Sequence, residues 1–446
     1  MQFIKSLDFY QKNRIPSLLL LLFFLSFGFG SSIINSTLLI FILYFFINIK
    51  SVKFNYLDKI LIFFGIYILL SSLLNFNYFL NSFLFLKFIL FTLSMKLILS
   101  RISEDQLKNL IKICSLFLIF LVFDVFYQKL FGVDIFGYEM PNLGGRLSGP
   151  FQDKLIPGTL ILYLGFYFFL YFYLKFLSDN NFIKHFISLT LLSLFTCSIL
   201  ITGERMNFVS SLLSIFLIFM FVNEKKFHFL YSTIALLICL FIIINDKNLY
   251  QRYEKFISLL KPQLDEKSFH EDEIEVFKNE NNIKHSDIEL SFLDTTWGAH
   301  YLTAFELIKK KPVFGNGIKS FRDLCGKQKI KSVRKQMRCS THPHNIHLEL
   351  LSEIGLIGYS IFIILTFIIM YEAIKIIINK KRYSKDIIFL FFSASFILCI
   401  TLLFPIKSTG RFSSTFFGSI YWINFSILYS SIYFLKKKYS LNLEKK

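Results

Sequence analysis

Apolar runs close to membrane-spanning length recur along almost all of this sequence, and they constrain its fold more than any other feature. A helix needs roughly 20 mostly apolar residues to cross the hydrocarbon core of a bilayer. The chain has a mean hydropathy of +0.56, and only 18% of its 446 residues are charged. The runs lack the alternation of a membrane β-barrel, so the sequence predicts an all-α integral membrane protein. About twelve transmembrane helices are expected, at 17–30, 33–48, 60–74, 79–97, 107–127, 155–176, 182–201, 207–222, 229–245, 349–376, 386–404 and 414–435.

Loops rich in Lys and Arg set the expected orientation. These residues gather in the N-terminal segment and in four others, 50–59, 224–226, 375–385 and 436–446. The positive-inside rule places these segments and both termini in the cytoplasm. If the spans alternate, four segments face the periplasm of a bacterial inner (cytoplasmic) membrane, namely 128–154, 202–206, 246–347 and 405–413. The formal net charge of +19 then reflects topology and attraction to membrane lipids, whereas nucleic acid is not an expected partner.

The predicted spans divide the chain into an N-terminal bundle of about nine spans, one large periplasmic loop between spans 9 and 10, and about three further spans with a cytoplasmic tail. These parts are residues 1–245, 246–347 and 348–446. The first half of the loop is highly charged and is typical of a solvated segment. In its second half Trp297, Tyr301, Phe305 and Ile308 recur at helical spacing. We expect an amphipathic helix there, packed on the bundle or, alternatively, lying on the outer leaflet.

Two of the six cysteines, Cys325 and Cys339, lie in the periplasmic loop. In an oxidising compartment such a pair is expected to form a disulfide. The alternative is a metal site that also uses His342 and His344, but this spacing does not match a zinc pattern. No convincing Asp-x-Asp motif for a divalent cation is present either, so we expect neither a metal nor a cofactor.

Three of the eight histidines fall within six residues, in "THPHNIH". Thr341 and Pro343 are typical of a cap and a first turn, so a helix is expected to begin here and continue into the tenth span. On that helix His344 would share one face with Gly355 and Gly358, whose small size lets another helix approach closely. A purely structural role for the histidines, as caps or interface groups, is the alternative.

His344-Asn345, followed after nine intervening residues by Gly355-Leu-Ile-Gly358, resembles the signature of the O-antigen ligase/polymerase family, which are integral membrane glycosyltransferases of bacterial envelopes. The upstream "KKPVFGNGIKSF", the long loop before the motif and the number of spans agree with that family. The resemblance implies a GT-C-like helical bundle that moves a glycan from a polyprenyl (undecaprenyl) diphosphate carrier to an acceptor hydroxyl. It also implies that His344 is the base that activates this hydroxyl.

The resemblance further implies that external arginines bind the diphosphate. Arg146 in "GGRLSG" and Arg205 in "TGERMNF" resemble the family's loop arginines, whereas Arg411 in "KSTGRFSS" is assigned from topology alone. In the large loop, Arg322 and Arg334 are both options. Guanidinium forks bind phosphate oxygens in pairs, and the small residues beside the first three arginines let the backbone approach an anion. The alternative is that each arginine only reaches the lipid headgroups.

Four other polar residues are candidates for supporting roles. Asn345 follows the proposed base, and Asp124 is an acid inside a predicted span that is a candidate partner for a loop arginine. Pro343 is expected to direct His342 away from the site. His347 is expected to lie about 60° round the helix from His344.

Three functions are compatible with these sequence features. A ligase would transfer the glycan to a lipid A core sugar, and a polymerase would transfer it to a second carrier-linked glycan. Both need a diphosphate site and a base, and the sequence favours the ligase without separating the two. A polysaccharide transporter is the third option, but it would be expected to carry internal repeats and charged residues at mid-membrane depth.

Overall fold

The computed structural model describes residues 2–141, 145–179, 181–258, 296–328 and 338–440, and its architecture is all-helical. Within these ranges the strand-type pairing is limited to one isolated bridge between Val133 and Glu139. The long helices are α1 (Gln2–Ser26), α2 (Ser31–Ile47), α3 (Tyr56–Leu73), α4 (Phe79–Leu99), α5 (Glu104–Phe131), α6 (Pro157–Tyr163), α7 (Phe166–Leu177), α8 (Phe182–Ile201), α9 (Arg205–Ile218), α10 (Lys225–Asn245), α11 (Lys247–Ser258), α12 (Thr296–Lys310), α13 (Ile346–Ile378), α14 (Ile387–Leu402) and α15 (Thr415–Ser440). Single helical turns occur at Phe321–Leu324 and Lys380–Tyr383.

Every predicted span coincides with a helix or, for 155–176, with a pair of helices. Six helices, α3, α4, α5, α8, α10 and α13, are long and apolar enough to cross a membrane. The pair α6 and α7, bent by 50°, brings the number to as many as seven. The helices α2, α9 and α14 are apolar but shorter, as is the part of α1 from Arg14. The all-α membrane architecture is therefore confirmed, and the number of twelve spans stays a prediction.

The last helix, α15, forms the centre of the bundle, where it packs against α4 and α14. Every residue from 418 to 432 is buried, including Trp422, whose ring stacks on Phe88 of α4. Some polar side chains of α15 bond to neighbouring helices, and the hydroxyls of Ser426 and of Thr92 in α4 lie 2.8 Å apart. Asn424, for example, accepts a hydrogen bond from the Tyr167 hydroxyl at 2.7 Å.

Helix α13 is interrupted at Gly355, which has a left-handed backbone (φ 69). In an unbroken helix the N–H groups of Leu356 and Ile357 would bond to the carbonyls of Ser352 and Glu353. Here those N–H groups donate to carbonyl oxygens of the loop that follows α12, Pro312 at 2.8 Å and Val313 at 3.3 Å. The freed helix carbonyls accept the N–H groups of Asn316 at 3.0 Å and Gly317 at 2.8 Å. The break therefore leaves none of these four groups unsatisfied and fixes the loop to the helix.

The two motif glycines serve different contacts. A Cβ on Gly358 would lie 2.5 Å from a ring carbon of Tyr67 in α3, which agrees with the prediction of a close helix approach. A Cβ on Gly355 would instead overlap the Val313 carbonyl of the docked loop. The prediction that Gly355 also serves helix packing is wrong, because its conformation opens the helix to a loop.

Candidate active site

His342 and His344 precede helix α13, and of the three clustered histidines only His347 lies in its first turn. Asn345 caps the helix: its side-chain oxygen accepts the N–H groups of His347 at 3.0 Å and Leu348 at 3.1 Å. Its amide also donates to the Pro405 carbonyl at 2.6 Å. The prediction that this helix begins near Thr341 is wrong. The helix begins after Asn345, because the Asn345 side chain bonds two of the free N–H groups of the first turn.

His344 therefore lies outside the helix, in a left-handed conformation (φ 57) that is uncommon for a residue with a side chain. Its carbonyl accepts the N–H of Thr409 at 2.9 Å. Its Nε2 lies 3.1 Å from the Ser340 hydroxyl, which is its one side-chain hydrogen bond among the described residues. Since Nδ1 is not used in this bond, the ring keeps one nitrogen for a substrate.

Two further imidazoles lie against the ring of His344, one tilted by 44° and one stacked. The ring of His342 lies 4.1 Å from that of His344, and the ring of His300, on α12, lies 5.1 Å away on a nearly parallel plane. The expectation that Pro343 turns His342 away is thus wrong, since the left-handed turn at His344 brings the rings back together. His300 was not identified from the sequence, where it is a single histidine in an amphipathic helix.

Hydrogen bonds show that Nε2 of His342 carries a proton. Its Nε2 lies 2.9 Å from the Thr409 carbonyl, which can only accept, and its Nδ1 lies 2.8 Å from the Thr341 hydroxyl. Burial, with the nearby charges of His344 and Arg411, lowers the pKa of His342 to about 3. Burial also lowers the pKa of His344 below 6.5. At neutral pH both rings are therefore uncharged, and His344 is able to accept a proton.

His347 has a structural role. Its Nδ1 bonds to the Tyr359 hydroxyl at 3.0 Å, and its Nε2 bonds to the Leu403 carbonyl at 2.9 Å. With both nitrogens occupied, this side chain links α13 to the end of α14.

Arg146 and Arg205 lie together, and a third arginine joins them. The loops that carry the first two are joined by a bond from the Leu147 N–H to the Thr202 carbonyl at 3.2 Å. Arg205 donates to the carbonyl of Arg252 in α11 at 3.2 Å. Each of the three lies within electrostatic range of the other two. Arg146, Arg205 and Arg252 are called the arginine cluster below.

Gly203 makes this cluster sterically feasible. It has a left-handed backbone (φ 71), and its carbonyl accepts a bond from Arg252 at 3.2 Å. A Cβ there would lie 3.3 Å from the Arg146 side chain and 3.4 Å from that of Arg252. The absence of a side chain at Gly203 therefore lets both arginines pack against its backbone, while the approach of this backbone to an anion stays a prediction. Arg252 was missed because its helix, α11, contributes it from a different part of the chain.

Buried acceptors hold the loops of the cluster. Gln128 of α5 accepts the N–H groups of Ser148 at 3.0 Å and Gly149 at 2.8 Å, which shapes the loop after Arg146. Glu204, which precedes Arg205, accepts the N–H of Gly158 at 2.8 Å. Burial raises the pKa of Glu204, although hydrogen bonds and the charge of Arg146 act in the opposite direction. The acid thus anchors the N-terminus of α6 as well as the loop that carries Arg205.

Asp124 is not paired with a loop arginine. One carboxylate oxygen accepts the N–H of Ile135 at 2.9 Å, and the other faces Gly149 without a hydrogen bond in the described part of the chain. Asp124 therefore supports the turn after α5 and does not contact the cluster directly.

Helix α12 links the arginine cluster to the imidazoles. The Trp297 ring centroid lies 5.9 Å from the guanidinium carbon of Arg205, and three residues later His300 stacks on His344. Residues three apart lie on the same helix face, separated by about 4.5 Å along the axis. One helical turn therefore separates the contact with the arginine cluster from the contact with the proposed base.

The buried face of α12 is rotated from the predicted one. The helix is present as expected, but it buries His300, Ala304 and Leu307 against the bundle, whereas Phe305 is 47% exposed. The prediction weighted large apolar side chains, and the bundle instead accepts small residues that allow close approach together with the histidine.

Arg411 lies apart from the arginine cluster, beside His342 and Lys319. It is only 8% exposed, yet its Nε and Nη2 atoms have no hydrogen-bond partner among the described residues. Its loop is fixed to α13 because the buried Glu349 accepts the Phe412 N–H at 3.0 Å. Arg322 is exposed near Lys319. Arg334, the other option from the large loop, lies outside the described residues.

Cys325 and Cys339 are joined in a disulfide, which ties the turn at 325–327 to the segment that enters the histidines. The described residues contain no group of three or more side chains suited to a metal ion. The alternative metal site would need sulfurs that are bonded to each other and a His342 whose nitrogens already have partners.

Lys407 is a buried cation that the sequence did not single out. It comes from the same loop as Thr409 and Arg411, is 4% exposed, and places its ammonium 4.2 Å from the Tyr163 ring centroid at the end of α6. Burial lowers its pKa to about 7. No ion pair to this side chain occurs in the described chain.

Residues 189–363 match a family model described as O-antigen ligase, and no curated protein matches the chain. The matched segment contains Arg205, Arg252, His300 and His344 but neither Arg146 nor Arg411. The match supports assignment of the chain to the O-antigen ligase/polymerase family, as its motifs predicted.

Proposed function

We propose that this member of the O-antigen ligase/polymerase family is a ligase that transfers a glycan from undecaprenyl diphosphate to a hydroxyl of the lipid A core. The observation that carries the proposal is the contact pattern of α12, which touches Arg205 through Trp297 and His344 through His300. A phosphate-binding group and a neutral base are thereby held on one side of the bundle. We place this side in the periplasm and both termini in the cytoplasm.

His344 acts as the base in this proposal. It takes the proton of the acceptor hydroxyl, whose oxygen attacks the anomeric carbon of the donor glycan. The bond from that carbon to the phosphate oxygen breaks, and polyprenyl diphosphate leaves with the electron pair. A positioned general base of this kind contributes roughly 10²–10⁴ in rate. Stacking on His300 and the bond to Ser340 fix the ring that performs this step.

Arg146, Arg205 and Arg252 bind the donor diphosphate. Charge grows on the leaving phosphate as the glycosidic bond breaks, and fixed guanidinium groups stabilise that charge without reorganisation. The buried Glu204 and Gln128 position the loops that carry Arg205 and Arg146. The chemistry therefore needs only side chains that this chain provides.

The test is transfer by purified protein in nanodiscs, with carrier-linked glycan as donor and lipid A core as acceptor. His344→Gln should lower kcat by about 10²–10⁴, while His185→Gln, at the other end of α8 from Arg205, serves as the matched control. Arg205→Lys should also impair transfer, since a lysine cannot form the paired hydrogen bonds of a guanidinium. Normal transfer by His344→Gln would remove it as the base.

A second experiment tests the orientation. Single cysteines placed next to Arg205 and His344 should both react with a membrane-impermeant reagent added from the periplasm. Labelling from opposite sides would refute the shared site.

Polymerisation of carrier-linked units is the second candidate function, and it is favoured by Arg411, a buried cation beside His342 that could bind the phosphate of a second carrier. Deleting the gene separates the two. Long polymer left on the carrier indicates a ligase, whereas single repeats on the lipid A core indicate a polymerase.

A further inference from the structure

A second group of cations lies next to the imidazoles. Arg411 is within electrostatic range of His342 and Lys319, and Lys319 is within range of Lys87 and Arg322. Lys87, Lys319, Arg322 and Arg411, the second cation group, come from four separate segments. Gathering like charges costs free energy unless an anion offsets the repulsion.

The carboxylates nearby do not neutralise this group by ion pairing. Two carboxylates lie within electrostatic range of these cations, Glu349 of Arg411 and Glu353 of both Arg411 and Lys319, and Glu353 also accepts the backbone N–H of Lys319. Glu349 accepts backbone N–H groups of the Arg411 loop, and Asp323 bonds to the Tyr78 hydroxyl. None of the four cations forms a salt bridge in the part of the chain that is described.

Lys87 and Arg411 show that the group has unused binding capacity. Lys87 bonds to two neutral oxygens, those of Asn35 at 2.8 Å and Thr415 at 3.2 Å. Arg411 is 92% buried and keeps two guanidinium nitrogens without partners among the described residues. A buried guanidinium in this state is costly, and such cases call for a functional explanation.

Backbone strain points to the same place. Three residues other than glycine have a left-handed backbone in the described chain, Gln152, Lys319 and His344. His344 is the proposed base, and Gln152 lies in the loop after Arg146. Strain of this kind costs free energy and concentrates at ligand sites. Lys319 is therefore held in place against its own preference.

From these observations we propose that the second cation group binds a phosphate carried by the acceptor, on the opposite side of His344 from the donor diphosphate. The inference rests on the proposed function and defines its acceptor as a phosphorylated glycan. The arginine cluster reaches His344 through α12, and the second cation group reaches it through His342 and Arg411. With the base between two anion sites, the hydroxyl of one substrate and the anomeric carbon of the other can be bound next to the same imidazole.

The phosphate has two chemical sources, a phosphorylated sugar of the lipid A core or the diphosphate of a second carrier. Kinetics at saturating donor distinguish them. Each acceptor is compared with a version that lacks its phosphate, namely phosphatase-treated core and free glycan released from the carrier. The acceptor whose kcat/KM falls on losing phosphate is the one that the group recognises.

Lys319→Gln should raise KM for that acceptor by about 10–100-fold, as expected for a lost hydrogen bond between charged groups. KM for the donor and the thermal stability should stay unchanged, and the dephosphorylated acceptor should show no further loss. Lys87→Gln is the second variant, since it does not alter the strained backbone at 319. Lys309→Gln is the control, because this side chain is 72% exposed on the same part of the chain.

Equal kcat/KM for acceptors with and without phosphate would overturn the inference while leaving the proposed function intact. So would a rise in donor KM, and not acceptor KM, in both variants. If wild-type protein transfers the glycan to neither acceptor, the proposed function fails, and the inference fails with it.

Discussion

Replacing Lys407 by Met should stabilise the folded protein. The ammonium is buried over the Tyr163 ring and has no carboxylate in contact, so burial lowers its pKa from 10.5 to about 7. Such a group binds fewer protons when folded than when unfolded. Its penalty is therefore complete below pH 7 and disappears as the pH rises from about 7 to 10.5. Methionine keeps the long apolar stem and removes the charge.

The pKa shift sets the size of the effect. Each pKa unit is worth 1.36 kcal/mol, so removal of the ammonium should add about 4 kcal/mol to the free energy of unfolding near pH 7.5. The same relation gives about 5 kcal/mol near pH 6 and about 2 kcal/mol near pH 9. Loss of the cation–π contact would reduce each gain by about 1 kcal/mol.

Unfolding in mixed micelles at these pH values measures the gain, with Lys309→Met as the exposed control. A Met variant less stable than wild type, or a gain that does not shrink towards pH 9, would refute the account of Lys407 as a buried cation without an anion. Because the buried ammonium of Lys407 destabilises the fold, its presence indicates that it binds a ligand. We therefore also expect the stabilised variant to lose donor or acceptor affinity.

Three other predictions concern the site and its supports. Transfer should decline on acidification with a midpoint below 6.5, because burial lowers the pKa of His344 and the protonated ring cannot accept a proton; a pH profile of kcat/KM with its midpoint at or above 6.5 would contradict this. Gly355→Ala should cost about 2 kcal/mol more than Gly30→Ala in thermal unfolding, since both have positive φ but only the former would strike the docked loop. Replacing Cys325 and Cys339 by Ser should lower stability by up to about 3 kcal/mol and raise KM, with the same loss on reducing the wild type.

Hydropathy predicted where the helices lie because lipid imposes one requirement on each segment by itself. A run of apolar residues must satisfy its backbone internally, whatever its neighbours do. Hydropathy could not predict the first residue of α13, since Thr341, Pro343 and Asn345 are all common at helix N-termini. Only the contact of Asn345 with Pro405, far along the chain, selects the actual one.

The sequence singled out those residues of the proposed site that carry their own chemical signal. His344 and the two loop arginines, Arg146 and Arg205, stand out because a polar group at a membrane boundary needs a reason. Arg252 and Lys407 gave no such signal, as their roles depend on packing between distant segments. Topology grouped Arg411 with the other loop arginines, whereas the structure places it beside His342 and Lys319.

The break at Gly355 explains why "GNG" and "GLIG" are both needed in this chain. Hydrogen bonds that the helix gives up at 352–357 are replaced by bonds to the loop at 312–317, so neither segment is satisfied without the other. Lys319 follows this loop by two residues, and His344 precedes the capped start of the same helix. Loop and helix therefore fix the distance between the base and the second cation group, as a site for two substrates requires.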